Sequence, residues 1–229
     1  PIMNVNTNEP VGYEILTRYN DQTRGIITPE RLFKVAGEAS LSRQLDIYIV
    51  DKAMALLRPL QSQGILKGYI GVNIMPETLI SKDLMKNVEH LINKHQVDPS
   101  KIVIEISEKT FIHNVDDCIS QIKTLKTKGF LIAFDDFGRE YSSLASLNYI
   151  DFDSIKIDQV FIKNLQNDYN KEVINMVRRI ADIEGKQIVA EGVETETQAN
   201  ELLKMGVTVH QGFYYSKPLP IDEMFKKRG

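Results

Sequence analysis

A chain of 229 residues, 42% hydrophobic and 26% charged, holds enough apolar material for one substantial core, and its length suits a single barrel at least as well as two small domains. A formal net charge of −3 leaves no concentrated basic face, which argues against nucleic-acid binding and against direct membrane contact by this segment; an anionic ligand would be held by a few placed cations or metal ions. The single cysteine, Cys118, excludes an intrachain disulfide, fits a reducing cytoplasmic setting and reads as a small buried hydrophobe on a helix face, and no apolar run approaches the ~20 residues of a membrane span.

The opening lacks an initiator Met and begins directly in strand-like PIMNV, which suggests a domain taken from a longer protein with a regulatory or membrane-tethering part elsewhere. PIMNVNTNEPVGYEILTRY reads as two antiparallel strands joined by a turn around Thr7 to Pro10. Thr28 and Pro29 mark the cap and first position of a helix to about Glu38, and Leu41 to Leu60 continues as a long amphipathic helix. GYIGVNI, Gly68 to Ile74, is a short apolar strand, followed by a helix capped near Ser81 and reaching about His95. IVIEI, FLIAFDD, SIKID, QIVAE and VTVHQ repeat the pattern, with helices from about Asn114, Ser142, Asn170 and Thr195. Gly129, Gly185 and Gly206 stand at helix C-caps. Apolar strands alternating with helices predict a parallel sheet buried on both faces. With the opening pair they number eight, the count of a TIM-like (β/α)8 barrel; an open doubly wound sheet is the competing arrangement.

Barrel active sites lie at the C-terminal ends of the strands. There the sequence sets Glu14, Asn73, Glu105, Asp135, Asp136, Lys156, Glu191 and Gln211. Any one of them has a plainer reading, since an Asp or Asn just past a strand is more often a cap or turn residue than a ligand. Together, carboxylates from several strands require cations, and Asp, Glu and Asn oxygens suit Mg2+ or Mn2+. His90, His95, His113 and His210 show no ligand spacing, so zinc is disfavoured. A carboxylate cluster sized for two divalent ions points to phosphoester hydrolysis, whereas carboxylates plus Lys156 fit enolase-like proton abstraction equally well. Pattern alone leaves both open.

The motifs GYEILTR, GVNIMPETL, IVIEISE, IAFDDFGREYSSL, IDFDSIKIDQVFI, IVAEGVETETQ and HQGFYYSKPLP, in that order, resemble the EAL-domain family of cyclic di-GMP phosphodiesterases along essentially the whole chain. The resemblance implies one EAL domain over residues 1–229, a distorted barrel with one antiparallel strand, hydrolysis of cyclic di-GMP to linear pGpG, and a homodimer. It implies a metal set of Glu14, Asn73, Glu105, Asp135, Asp136 and Glu191, holding two Mg2+ or Mn2+ ions. Lys156 matches the lysine near the attacking water, Glu191 is a candidate to deprotonate that water, Arg18 matches the phosphate-contacting arginine, and Gln211 matches the substrate-side glutamine. Glu108 matches a glutamate that steadies the loop after DDFG. Phe213 and Tyr214 read as packing.

Three departures accompany this match. Ile15 replaces the signature alanine and keeps its apolar character. A glutamine of the family stands before the position of Pro1 and is absent here, an expected loss of substrate contact. Arg139 and Glu140 replace a small residue and a glycine, at a cost on the order of 1 kcal/mol wherever a left-handed conformation is required. That loop makes a catalytically weak or inactive cyclic di-GMP sensor or protein-interaction domain the alternative to a working enzyme.

Overall fold

A computed structural model describes residues 1–111, 114–138 and 150–226, the side chains of 224–226 excepted. In chain order the elements are β1 (Ile2–Asn4), β2 (Glu9–Glu14), β3 (Tyr19–Asp21), β4 (Gly25–Ile27), α1 (Pro29–Glu38), α2 (Ser42–Ser62), β5 (Tyr69–Asn73), α3 (Pro76–Leu79), α4 (Leu84–His95), β6 (Ile102–Ser107), α5 (Val115–Thr127), β7 (Leu131–Phe137), β8 (Ser154–Ile157), α6 (Gln159–Lys163), α7 (Asp168–Glu184), β9 (Gln187–Ala190), α8 (Glu196–Lys204), β10 (Val209–His210) and α9 (Ile221–Lys226). Eight strands close into a barrel in the order β1-β10-β9-β8-β7-β6-β5-β2. β1 runs antiparallel to both neighbours, while the other adjacent pairs are parallel. Closure excludes the open sheet and agrees with the predicted barrel and its one antiparallel strand.

Strand alternation sorts the core into two parts. Ile70, Val72, Ile104, Ile132, Phe134, Ile155 and Ile188 belong to the large cluster that packs with the helices. A small cluster of Ile2, Val189 and Val209, joined by Val11 and Tyr69, forms separately. Alternate residues therefore point to opposite faces, which is why these strands read as continuously apolar. Gly12 belongs to this economy of space, since a Cβ there would lie 2.6 Å from the Tyr69 ring.

Several local readings need correction. β2 stops at Glu14, and the stretch read as its continuation instead starts the separate hairpin β3–β4 at Tyr19. The Asp21 side chain accepts from the N–H groups of Thr23 and Arg24, and Gly25 takes φ +71°, so this turn has its own chemistry. The helix expected from Ser81 begins at Leu84, preceded by the short α3, whose Pro76 supplies the preset φ of a first turn. Thr28 occupies the cap position of α1 without capping through its side chain. α7 starts earlier than Asn170, because the Asn167 side chain accepts from Tyr169 N–H. α6 follows β8 without having been anticipated, capped by Asp158. α8 starts beside Thr195 as expected, and Thr195 and Gln198 close it with a reciprocal capping box.

Cys118 is fully buried on α5. Among the described residues no helix is long and apolar enough to cross a membrane. His113, the helix expected from Ser142 and the Arg139–Glu140 loop lie outside the described residues.

Candidate metal and active site

The C-terminal ends of the barrel strands bring the expected residues together. Lys156 on β8 is 2% exposed and directs its ammonium at four carboxylates from four other strands. Nζ lies 2.5 Å from Glu105 Oε2, 2.7 Å from Glu191 Oε1, 3.3 Å from Glu14 Oε2 and 3.4 Å from Asp135 Oδ1. Glu14 is bound on both oxygens. Asn73 Nδ2 donates to Oε1 at 2.8 Å, and Gln211 Nε2 donates to Oε2 at 2.6 Å across 197 residues of sequence. The register Asn73↔Glu105 sets these two side by side on β5 and β6, and Gly71 leaves the room that the Glu105 carboxylate occupies.

Asp135 and Asp136 pose a geometric problem that the backbone solves. In a regular strand consecutive side chains point to opposite faces, so both cannot serve the same side. The β7–β8 register slips between Phe134↔Ile155 and Phe137↔Ile157, and Asp136 takes φ +56°. This bulge with a left-handed aspartate, a residue that tolerates that conformation, turns the second carboxylate back beside the first. Asp135, Asp136 and Glu191 consequently offer carboxylate oxygens that all lie within 4.8 Å of one another.

One ammonium faces four carboxylates, and the protonation equilibria carry the strain. Burial works against the charge on Lys156, but Asp135, Glu105, Glu14 and Glu191 together outweigh it and hold its pKa well above the ordinary lysine value. Burial, then the charge of Glu14, lifts Glu105 well above the carboxylate range despite Lys156. Burial also pushes Glu191 up to about 8, with Asp135 and Glu14 adding to it and Lys156 opposing. Glu14 goes the other way: burial raises it, but Lys156 and the Gln211 and Asn73 hydrogen bonds bring it below its usual value. Converging hard oxygen donors with excess negative charge fit a divalent cation such as Mg2+ or Mn2+ and offer no thiolate or imidazole for zinc.

The EAL domain family model matches residues 1–218. The chain belongs to the EAL domain family. The probable cyclic di-GMP phosphodiesterase PdeA of Escherichia coli is 30% identical over 223 residues, 96% of this chain and 30% of that protein. The structure of the Pseudomonas aeruginosa MucR phosphodiesterase in complex with c-di-GMP superposes with a TM-score of 0.92 at 28% identity, covering 98% of this chain and 91% of that one. BlrP1 of Klebsiella pneumoniae, solved with manganese and cyclic di-GMP, gives a TM-score of 0.83 at 26% identity, covering 95% and 54%. This EAL domain spans about a third of the length of several curated relatives it matches.

The remaining expected residues of the EAL domain sit at different distances from the cluster. Gln211, anticipated on the substrate side, spends its amide N–H on Glu14, and its Oε1 is buried without a hydrogen-bond partner among the described residues. Arg18 is exposed on the irregular segment after β2, where Nη1 donates to Thr17 O at 2.8 Å. It lines a cavity of ≈ 160 Å³ with Leu16, Phe33 and Asn73, and among the described ion pairs it meets none of the carboxylates. Glu108 is buried on the 3₁₀ turn that follows β6, and the loop it was expected to steady lies outside the described residues. Phe213 and Tyr214 are 57% and 43% exposed, so neither is packing in the core.

Sequence reasoning missed what fixes the Gln211 loop. His210, fully buried, accepts at Nδ1 from Tyr215 Oη at 2.7 Å and donates from Nε2 to Val207 O at 2.9 Å. The pattern H-x4-Y carries no recognisable periodicity, so only the fold reveals the pair. Tyr215→Phe removes the donor and leaves a buried acceptor, a loss of about 1 kcal/mol. Thermal melting is expected to fall by roughly 2–4 °C in a domain of this size. An unchanged melting temperature would remove the pair from the account of loop stability.

Proposed function

We propose that this EAL domain opens one of the two phosphodiester bonds of cyclic di-GMP with one water, giving linear pGpG. The observation that carries this reading is the buried carboxylate cluster around Lys156, completed by the Asp135–Asp136 bulge. Glu14, Asn73, Glu105, Asp135, Asp136 and Glu191 would hold divalent ions, two Mg2+ or Mn2+ in this reading. Such ions, when bound, supply Lewis-acid charge for in-line displacement at phosphorus.

The protein groups divide the remaining work. Glu191, a carboxylate 2.7 Å from Lys156 Nζ, takes the proton of the attacking water. Lys156 sits within reach of Glu191 and supplies fixed positive charge beside that water. Arg18, free to swing from its exposed segment, offers a planar fork of donors for a phosphate. Gln211 holds Glu14 in register and keeps an acceptor at the substrate side. Glu108 steadies the neighbouring loop. A homodimer, a cytoplasmic location and a regulatory domain in the same full-length protein belong to the same reading; support for the last is the small share of its relatives that the chain covers.

The test is turnover of cyclic di-GMP by the 229-residue chain with Mg2+, Mn2+, Ca2+ or no metal. The expected result is pGpG with Mg2+ or Mn2+, none without metal, and suppression by Ca2+, whose larger and looser coordination misplaces the reacting oxygens. Equal turnover with Ca2+ would contradict the ion assignment. Binding of cyclic di-GMP with no product under any metal would replace the enzyme by a sensor, the reading that the Arg139–Glu140 replacement motivates.

A further inference from the structure

The segment between Asn73, which ends β5, and Pro76, which opens α3, has two backbone N–H groups to satisfy. Ile74 N–H donates to Glu105 O at 3.1 Å, inside the barrel rim. Met75 N–H donates to Asp46 Oδ2 at 2.8 Å. Pro76 has no N–H to contribute. Asp46 does not belong to the barrel: it lies on α2 in the outer helical layer, 1% exposed.

A buried carboxylate is a costly way to satisfy one amide. Its other oxygen, Oδ1, and the Thr78 Oγ1 on α3 are both buried, and the Thr78 hydroxyl partly offsets the burial that raises the Asp46 carboxyl. The Met75 N–H is the one that a capping-box Glu or Gln at the third helical position would satisfy locally, and this chain has Thr78 there. What the present arrangement does in addition is lock the exit of β5 to α2, two residues beyond Asn73. Asn73 in turn donates to Glu14, so the chain of contacts runs from the helical layer through one amide to the carboxylate cluster.

We propose that Asp46 is a positioning residue for the cluster: through the Met75 amide it fixes the strand end that carries Asn73, and so sets the affinity of the site for its divalent ion. The inference rests on the reading of Asn73 and Glu14 as part of a metal-holding set. Groups that orient metal ligands from outside the ligand set typically change metal affinity by about 10–100-fold when removed.

The experiment measures Mn2+ binding by calorimetry, with thermal melting, for the 229-residue chain and four variants. Asp46→Ala is expected to weaken Mn2+ binding by about 10–100-fold. Asp46→Asn, which keeps an oxygen for the Met75 N–H, is expected to stay within about threefold of the parent. Asp46→Leu is close to isosteric and introduces no charge, so it carries the test if the alanine variant does not fold; it is expected to weaken binding as alanine does. Leu91→Ala, a buried truncation on α4, is expected to lower melting while leaving Mn2+ affinity in place.

Parent-like affinity in the folded Asp46→Ala or Asp46→Leu variant overturns the inference, as does equal weakening in Leu91→Ala, which would reduce Asp46 to general stability. Failure of Asp46→Asn to retain affinity overturns the amide-anchoring role. A parent chain that binds no Mn2+ overturns the metal reading together with this inference, whereas a parent that binds it separates the two.

Discussion

Lys156→Ala is expected to lower cyclic di-GMP turnover by about 10²–10⁴-fold, the range that a positioned proton-transfer or charge-stabilising group contributes. The expectation follows from where the ammonium sits. It is buried, it touches carboxylates from four other strands, and no second cation among the described ion pairs reaches them. Removing one partner from a buried ionic cluster leaves uncompensated charge, a loss of roughly 3–5 kcal/mol. Without metal the variant should therefore melt well below the parent, by about 10 °C for a chain of this length. Saturating Mg2+ or Mn2+ should restore much of that stability without restoring turnover, because the ions replace the positive charge but not a group placed beside the water. Lys156→Arg is not expected to rescue, since the planar guanidinium does not fit a slot shaped for a compact ammonium. Parent-like turnover in the alanine variant would remove Lys156 from the chemistry and return it to a structural ion pair.

Much of this architecture was legible because barrel folds write themselves in apolar runs. GYIGVNI, IVIEI, FLIAFDD and SIKID are each followed by helical sequence, and the polar residue late in each run marks the rim where β5 to β8 meet the site. The cluster itself was legible for the same reason: Asn73, Glu105, Asp135 and Lys156 interrupt strands that otherwise have no use for charge. Spacing did not reveal the bulge, because two adjacent aspartates at a strand end look identical whether they point apart or together. Only the slip against β8 and the positive φ of Asp136 decide that. Contacts across the closed barrel were equally hidden. Gln211 and Glu14 are joined by the seam between the first and last strands, and Asp46 reaches Met75 from a helix whose amphipathic pattern treats position 46 as one more buried site. Arg18 rests on motif alone: its side chain lies on the backbone just before the β3–β4 hairpin, donating to Thr17 O, a contact that no spacing foretells.

The metal-free protein is expected to lose stability as pH rises from 7 to 8.5. Glu191 is raised by burial to about 8 and Glu105 well above its usual value, so both take up protons on folding that an unfolded carboxylate, with a pKa near 4.3, does not hold at these pH values. A group whose folded pKa is raised contributes least above that pKa, and the stability difference accumulates as pH climbs from the unfolded value to the folded one. The Pro1 ammonium also titrates in this window: burial lowers it from its ordinary 8.0, so it acts with the opposite sign, and acetylating the N-terminus removes it and leaves the two carboxyls. Asp46, pushed up by burial to about 6, finishes its own change of the same sign below pH 7. His210, lowered by burial, acts with the opposite sign, gaining stability as pH rises through its ordinary 6.5, and is also nearly complete by pH 7. Lys156, held above the ordinary lysine value, stays charged throughout. A divalent ion competes with those same protons, so its stabilisation should grow over the interval in which the metal-free form weakens. At an Mn2+ concentration a hundred times its dissociation constant the gain is about 2.7 kcal/mol, or roughly 5–10 °C in melting temperature. Melting curves at pH 7 and 8.5, with and without Mn2+, read both effects at once. A metal-free melting temperature that rises across the interval, or an Mn2+ shift that is equal at both pH values, would mean that the carboxylates around Lys156 are already ionised without the metal, and that the protein alone tolerates the charge that the site gathers.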